Sequence, residues 1–232
     1  MAFLEIDPGA LQGREPYFLI TSLVVPRPIA WVSTISPAGV LNVAPHSYFN
    51  VISSNPWIVH FTSTGEKDTL RNVRATGEFV VNLVSRELVD AMNLTSADFP
   101  PSESEFEWAR LESTPSLRVR PPRVAAARAA FECRVEDIVS KGNGHMVFGD
   151  VLVAHVDEEL IEDGRVDPAR FRPVARLGGS LYTDAAKGLF KLARPTWDEV
   201  KARRIALDAL VDEAGMSSFP ASDPPSWWGG RD

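Results

Sequence analysis

Short segments rich in Val, Ile, Phe and Thr, separated by turn residues, recur along the chain and constrain its fold most strongly. Their length and β-branched content favour strands over helices. Residues 30–35 and 41–49 are joined by Ser36-Pro37-Ala38-Gly39, which suits a hairpin loop. We therefore expect a mainly β chain with an antiparallel sheet. The other predicted strands are residues 29–35, 57–62, 79–84, 130–140 and 146–156.

Helical patterns are fewer, so the helices are expected at the periphery of the sheet. Residues 67–76 form an amphipathic pattern that Gly77 ends. Residues 86–94 follow Ser85, a residue type that caps helix N-termini well. Both segments predict short helices packed on a barrel or a sheet.

The length of 232 residues and the hydrophobic content of 44% suit one principal domain with a tail. We place that domain at residues 1–195 and the tail at residues 196–232. A further helix is predicted from Thr196, because Thr196 and Glu199 have the spacing of a capping box. We expect this helix to close the domain or to meet a partner subunit.

Two proline-rich segments interrupt the regular patterns. Residues 99–123 contain few helix or strand runs, and we expect a long excursion over the surface. Residues 217–232 are expected to be extended, with Trp227 and Trp228 docked on a surface.

Composition and charge exclude several classes of function. The net charge of −7 argues against a broad nucleic-acid footprint, which needs clustered Lys and Arg. No stretch approaches the apolar length of a membrane span, and the acidic Glu5 and Asp7 do not suit an export signal. Cys133 is the single cysteine, so no internal disulfide or multi-Cys metal site can form. We expect a cytoplasmic protein without a metal site, and a buried, unreactive Cys133.

Lys67-Asp68-Thr69 is a candidate phosphate site. At a helix start the free N–H groups and the positive end of the dipole favour an anion, and a lysine with a threonine hydroxyl completes a cradle. Ser63 adds a donor just upstream. The alternative is that Asp68 or Thr64 only caps a surface helix.

The segment 42–50 is a candidate site for a flat polar ring. Pro45 removes a backbone donor, which indicates an edge or a bend whose other backbone groups can meet a ligand. Ser47 and Asn50 offer polar groups, while Tyr48 or Phe49 offers flat cover. Alternatively, these aromatic side chains are ordinary residues of a sheet face.

Two later segments present further candidates. His145 follows a glycine turn at the mouth of a strand, where it can bond a substrate or mark an ordinary hairpin. After Arg176, glycines allow close approach of the backbone to a ring, or simply make a turn. The candidates in that segment are Gly178, Gly179, Ser180 and Tyr182.

The remaining histidines are interpreted differently. His60 and His155 lie inside apolar strand runs and are expected to be structural, whereas His46 lies close to the predicted ring site.

Taken in order, these segments resemble the flavin reductase-like family, whose fold is the FMN-binding split barrel, an antiparallel β-barrel of Greek-key type. The resemblance covers about residues 17–182. The family pattern runs Arg-Pro, Ser-Thr, Gly-x-x-Asn-x-Ala-Pro-x-Ser-x-Phe, Lys-Asp-Thr and Phe-x-Val-Asn. It is matched here by residues 27–28, 33–34, 39–49, 67–69 and 79–82.

The resemblance implies a homodimer with an FMN at each of two sites near the subunit interface. It implies that Ser63, Lys67 and Thr69 hold the phosphate, with Ser33 and Thr34 nearby. The residues implied to contact the ring are Ser47, Tyr48, Phe49 and Asn50. His145 is implied to face the nicotinamide or substrate, although Gly144 stands where relatives commonly have an aspartate.

The leading hypothesis is an FMN reductase that takes a hydride from NADH or NADPH. Neither a dinucleotide fingerprint nor a P-loop is present in the sequence, so the donor is expected to bind transiently over the flavin. Family members often feed a separate monooxygenase. One alternative is a non-catalytic flavin carrier or interaction module, and a weaker one is a hydrolase that uses Ser47 with His46 or His145.

Overall fold

The computed structural model describes residues 1–217, and the side chains up to residue 210. Contacts group Met1–Leu189 into one compact unit, and a second unit begins at Phe190. The boundary expected at residue 195 stays a prediction. The predicted docking of Trp227 and Trp228 lies outside the described residues.

Fourteen strands are present in the described part of the chain. They are β1 Arg27–Pro28, β2 Ala30–Ile35, β3 Leu41–His46, β4 Phe49–Ser54, β5 Trp57–Thr64, β6 Glu78–Leu83, β7 Ser113–Thr114, β8 Arg123–Val124, β9 Ala129–Lys141, β10 Gly144–Val156, β11 Ile161–Glu162, β12 Arg165–Val166, β13 Val174–Arg176 and β14 Tyr182–Asp184.

The helices contain fewer residues in total than the strands. They are α1 Glu15–Leu23, α2 Asp68–Thr76, α3 Val89–Leu94, α4 Glu105–Trp108, α5 Pro168–Phe171 and α6 Trp197–Ser217, with 3₁₀ turns at Pro8–Ala10, Arg86–Leu88 and Glu158–Leu160. In the described part of the chain, no helix is both long and apolar enough to cross a bilayer.

Seven strands form one antiparallel sheet in the order β3-β2-β6-β9-β10-β5-β4. β3 and β4 lie at opposite ends of this order, yet only Ser47 and Tyr48 connect them. Since so short a link spans about 11 Å at most, the sheet must curl until its two edges meet. The ring of His46 on β3 accordingly lies 4.8 Å from that of Phe61 on β5, between centroids. The predicted mainly β, antiparallel fold is confirmed.

The curled sheet encloses an apolar core that α2 closes at one side. Phe61 and Phe79 meet edge to face at 5.3 Å between ring centroids, and Leu70 and Val73 of α2 pack on the same cluster. Cys133 is buried there, and burial raises the pKa of its thiol, as expected for an inert core cysteine. Alternating strand positions thus fill the barrel, which explains why the apolar runs were readable as strands.

Gly149 allows β10 to pass closely over the core. The register of β9 and β10 shifts between Phe148 and Gly149, which is a bulge. A Cβ at Gly149 would lie 2.4 Å from the Cζ atom of Phe79, so only glycine leaves room for that ring.

The predicted helix signals are mostly confirmed. Gly77 ends α2 in the left-handed conformation, with φ of 70°. The Thr196 and Glu199 side chains bond reciprocally, since the Glu199 N–H donates to Thr196 Oγ1 and the Thr196 N–H to Glu199 Oε2. Ser85 occupies the expected N-cap position before the turn Arg86–Leu88, but its side chain makes no capping hydrogen bond in the described part of the chain.

The proline-rich segment 99–123 runs over the surface as expected, since most of its residues are exposed or half-buried, but a few buried side chains anchor it. Phe106 on α4 is buried beside Trp31, and Val119 is buried against the outer face of β6. The segment also carries β7, which pairs with β8. The proline-rich composition correctly predicted irregular backbone. It does not show which few apolar side chains anchor such a segment to the rest of the protein.

Candidate functional site

A cleft of about 360 Å³ opens beside the link between β3 and β4. We call it the barrel cleft. It is lined by β3 with the link, β5, the start of α2, α3 with the loop after it, α4 and the β13–β14 hairpin, together with Tyr17 of α1. The lining residues include Tyr17, Asn42, His46, Ser47, Tyr48, Thr62, Lys67, Asp68, Thr69, Met92, Asp98, Glu105, Arg176 and Tyr182.

One end of the barrel cleft is the N-terminus of α2. Lys67 occupies the N-cap position, and no side chain caps the helix. The N–H groups of the first turn, including those of Asp68 and Thr69, therefore lack a helical partner. The Lys67 ammonium lies 3.6 Å from a carboxylate oxygen of Asp98, which is almost fully exposed. This part of the cleft therefore has N–H donors without a helical partner and a Lys67 ammonium that pairs with an exposed carboxylate. Such an arrangement suits an anion.

A buried hydrogen-bond network supports that helix start. Glu105 accepts from Asn42 Nδ2 at 2.7 Å and from the Val43 N–H at 3.1 Å. Because the Asn42 amide faces Glu105, its Oδ1 faces the other way and accepts from Thr34 and Thr69, each at 3.0 Å. Burial raises the pKa of the Glu105 carboxyl, although these hydrogen bonds oppose the change. The network ties α4 and β3 to the first turn of α2.

Another part of the lining of the barrel cleft, which we call its ring end, carries aromatic side chains. Tyr48 and Ser47 come from the β3–β4 link, and Tyr17 comes from α1. Burial raises the pKa of the Tyr48 hydroxyl, so it stays protonated at neutral pH. Flat side chains beside a few polar groups are what a planar ligand requires.

His46 forms part of the wall between the cleft and the barrel core. It is 8% exposed, and its Nε2 has no hydrogen-bond partner among the described residues. Burial and the nearby charge of Lys67 lower its pKa to about 4, against a hydrogen bond with the Thr62 backbone that raises it. His46 is therefore neutral at physiological pH, with a buried nitrogen left for a partner.

His46 should make the protein less stable in acid. Its folded pKa lies near 4 and the ordinary value is 6.5, so between these pH values the unfolded chain binds a proton that the folded chain does not. Stability is thus lost as pH falls from 6.5 towards 4, by about 2 kcal/mol between pH 7 and pH 5. His46→Phe should remove this part of the pH dependence. Urea unfolding of both proteins at pH 7 and pH 5 measures it, and equal losses would contradict the assignment.

Several predicted site residues lie behind the cleft wall. Ser33, Thr34 and Ser63 are fully buried, and their hydroxyls bond to Pro122 O, Asn42 Oδ1 and Gly65 O respectively. Phe49 is buried in the barrel core, while Asn50 is exposed and bonds its side chain to the Val51 N–H. Their roles toward a ligand stay predictions.

The remaining predicted residues are spread over the β9–β10 and β13–β14 hairpins. His145 pairs with Ser63 and Ser140 in the sheet, and its Nδ1 lies 2.8 Å from Ser140 Oγ. Its catalytic role stays a prediction. Tyr182 lines the barrel cleft. Gly178 packs on α1, where a Cβ would lie 2.9 Å from Ser22 Cβ. Gly179 offers its carbonyl to Arg176, and Ser180 is exposed.

The two histidines that were predicted to be structural, His60 and His155, differ in their hydrogen bonding. His155 is satisfied by Glu132 as expected, at 2.6 Å, whereas the buried Nδ1 of His60 has no partner. Neither His46 Nε2 nor His145 Nδ1 bonds Ser47, so the nucleophile–base contact of a hydrolase is not formed.

Sequence reasoning missed three contributors to the cleft. Glu105 was assigned to a surface excursion, Tyr17 belongs to a helix that was not predicted, and Asp98 carried no signal. The only hint of Glu105 in the sequence was an acidic residue next to Phe106 in an otherwise polar stretch.

Comparison with known proteins identifies the family. The model of the flavin reductase like domain matches residues 22–173. An uncharacterised protein of Aquifex aeolicus is 41% identical over 179 residues, which cover 75% of this chain and 91% of that protein. One from Halalkalibacterium halodurans is 38% identical over 205 residues, or 83% and 97%.

Solved structures agree with this match. Nitrilotriacetate monooxygenase component B from Bacillus cereus is 34% identical, with a TM-score of 0.79, over 84% of this chain and all of that one. The 2-nitrobenzoate 2-nitroreductase of Pseudomonas fluorescens is also 34% identical, with a TM-score of 0.78, over 84% and 98%. A Shewanella frigidimarina structure described as a flavin reductase with a split barrel domain shares the fold, with a TM-score of 0.74 at 24% identity over 85% and 99%. The curled sheet, the cleft beside its meeting edges and the match over residues 22–173 together show that this chain belongs to the flavin reductase like family and has its split-barrel fold.

Proposed function

We propose that the protein binds FMN in the barrel cleft and reduces it with NADH or NADPH. The observation that carries the proposal is that one cleft is lined both by an uncapped helix start with Lys67 and by Tyr48 and Ser47. An anion site and a flat aromatic site in one cleft suit a phosphate joined to a planar ring.

The residues present fit FMN by two further tests. The first is the orphaned Nε2 of His46, a buried nitrogen that bonds no described residue and gains a partner only if one is brought in. The second is the volume of about 360 Å³, which falls within the range of small-molecule sites. Lys67, Asp68 and Thr69 would hold the phosphate, the last two through their backbone N–H groups.

The protein's own contribution is binding and exclusion of water. Bound FMN supplies the hydride acceptor. Lys67 and the α2 N–H groups offset the phosphate charge, and the Glu105 network holds the first turn of α2 in place. Tyr48 and Tyr17 cover the ring end and reduce its contact with water. No protein acid or base is needed for hydride transfer itself.

The donor and acceptor are proposed from the relatives. The names of two similar structures, a monooxygenase component and a nitroreductase, support redox work for this chain and a separate monooxygenase as electron acceptor. A homodimer is supported by apolar side chains of α1 that lie exposed beside the cleft, namely Phe18, Ile20, Leu23 and Val24. Light scattering should then give twice the chain mass of 25.5 kDa.

The deciding experiment is an anaerobic titration of the purified protein with NADH and NADPH, followed by absorbance. We expect a yellow protein, or one that becomes yellow with added FMN, whose flavin band bleaches as donor is added. Tight FMN binding without bleaching would refute the reductase and leave a flavin carrier. No binding of FMN would refute the site as well.

A further inference from the structure

A second cleft adjoins the barrel cleft at Arg176 and Tyr182. It measures about 440 Å³ and lies between the β13–β14 hairpin, α3 and the turn that precedes α3. We call it the hairpin cleft. Arg176 and Tyr182 line both clefts, so a ligand in one borders a ligand in the other.

The cations of the two clefts differ in their partners. In the barrel cleft, Lys67 pairs with Asp98, and Arg71 pairs with Asp68. Arg176 makes no ion pair with any carboxylate in the described part of the chain. Its guanidinium donates to Tyr182 Oη and, at 2.6 Å, to Gly179 O. Among the arginine and lysine side chains that line the barrel cleft, Arg176 is therefore the one whose charge no described carboxylate offsets.

The arginine side chains of the hairpin cleft also favour an anion. Arg86, like Arg176, has no carboxylate partner among the side chains of residues 1–210 and lines this cleft. Of its two acids, Asp184 is already bonded to Arg172 at 3.0 Å, which leaves only the exposed Asp90 unpaired. Because Arg172 is shared between Asp184 and Glu87, the cluster as a whole is balanced in charge. What the cleft offers an anion is therefore the guanidinium groups of Arg86 and Arg176, which pair with no carboxylate in the described part of the chain.

Arg176 is held ready for a bidentate contact. Its guanidinium carbon lies 4.7 Å from the centre of the Tyr182 ring, and the two hydrogen bonds fix its plane. A planar fork with a fixed orientation matches phosphate oxygens better than a flexible ammonium does. This preorganisation distinguishes Arg176 from the exposed Arg86.

We propose that the hairpin cleft binds the diphosphate group of the nicotinamide donor, with Arg176 as the residue that recognises it. The inference rests on the proposed function, since it needs the donor's ring to reach the barrel cleft. Tyr182 and Arg86 complete the site, and the donor spans from one cleft to the other past Arg176. A chain without a dinucleotide fingerprint thereby obtains affinity for a dinucleotide from a surface cleft.

The test uses ADP-ribose, which carries the diphosphate but no nicotinamide and undergoes no hydride transfer. Its dissociation constant is measured by calorimetry on the FMN-saturated protein. Arg176→Met should weaken ADP-ribose binding about tenfold or more, because a charge-assisted contact is lost. Arg176→Lys should fall between that variant and the wild type. Arg170→Met, which removes a cation on α5 outside both clefts, should match the wild type.

The FMN dissociation constant of each variant is measured as well, because Arg176 also lines the barrel cleft. Since Lys67 and α2 are untouched, we expect FMN affinity to fall less than ADP-ribose affinity does in Arg176→Met. ADP-ribose affinity unchanged by Arg176→Met, or absent from the wild type, would overturn the inference while leaving FMN binding as it stands. If Arg176→Met also loses FMN affinity, the substitution has damaged the barrel cleft. In that case the ADP-ribose affinity of Arg176→Lys decides whether the inference holds. If benzoate rather than ADP-ribose depends on Arg176, the cleft serves a carboxylate acceptor and the diphosphate assignment is wrong.

Discussion

Replacing Lys67 with methionine should weaken FMN binding by about 2 to 3 kcal/mol, or about 30- to 150-fold. Lys67 is the one cation at the N-cap of α2, and its removal also leaves the exposed carboxylate of Asp98 without its partner. The variant thus loses an attraction to the phosphate and gains a repulsion. Quenching of flavin fluorescence during titration measures the dissociation constant.

Two controls make this result specific to the phosphate. Riboflavin, which has the same ring and no phosphate, should bind the wild type and Lys67→Met about equally. Arg170→Met removes a cation on α5 that lines neither cleft, and should leave FMN affinity unchanged. Loss of riboflavin affinity in Lys67→Met would mean that the ring end was disturbed. Unchanged FMN affinity would mean that the phosphate lies elsewhere.

The Thr69 side chain should matter less than Lys67, contrary to the interpretation of its hydroxyl as a phosphate donor. Its proton is directed to Asn42 Oδ1, because the Asn42 amide is turned by Glu105. What the first turn of α2 offers is the Thr69 backbone N–H, which no side-chain substitution removes.

The parts of the fold that were predictable depend on local chemistry. Strand and helix segments follow from apolar runs, from Gly77 at a positive φ and from the reciprocal bonds of Thr196 and Glu199, all of which act within a few residues. The family motifs predicted that Lys67-Asp68-Thr69, one contiguous stretch, holds a phosphate, and this stays a prediction.

The parts that were not predictable depend on contacts between distant segments. Glu105 meets Asn42 across 63 positions, and Ser33 is committed to Pro122 across 89, so neither partner reveals the other in sequence. Closure of the barrel also places Ser47 and Tyr48 at the cleft while it turns Phe49 into the core. A strand pattern fixes which side chains share a face, but which face meets a cleft is decided by how the sheet curls.

Glu132, which holds the proline-rich segment 99–123 in place, is another residue whose role depends on contacts between distant parts of the chain. Its side chain is fully buried and accepts from the Leu117 N–H at 2.8 Å and the Arg118 N–H at 2.6 Å, while His155 Nε2 lies 2.6 Å away. Burial acts to raise the pKa of the Glu132 carboxyl, but the hydrogen bonds outweigh it and hold the pKa below its usual range. The carboxylate therefore links β9 and β10 to a segment that has little regular structure of its own.

Glu132→Ala should lower the free energy of unfolding by about 3 to 5 kcal/mol, since it leaves two partly buried N–H groups and His155 without their acceptor. Glu132→Gln keeps the volume and one acceptor and should cost less. Because the folded pKa of Glu132 is depressed, the advantage of wild type over Glu132→Gln is present above the ordinary value of 4.5 and is lost as pH falls through the folded pKa. Chemical unfolding at pH 7 and pH 4 measures both effects. A loss below about 1 kcal/mol in Glu132→Ala would show that water replaces the carboxylate and that the segment is held by Phe106 and Val119 instead.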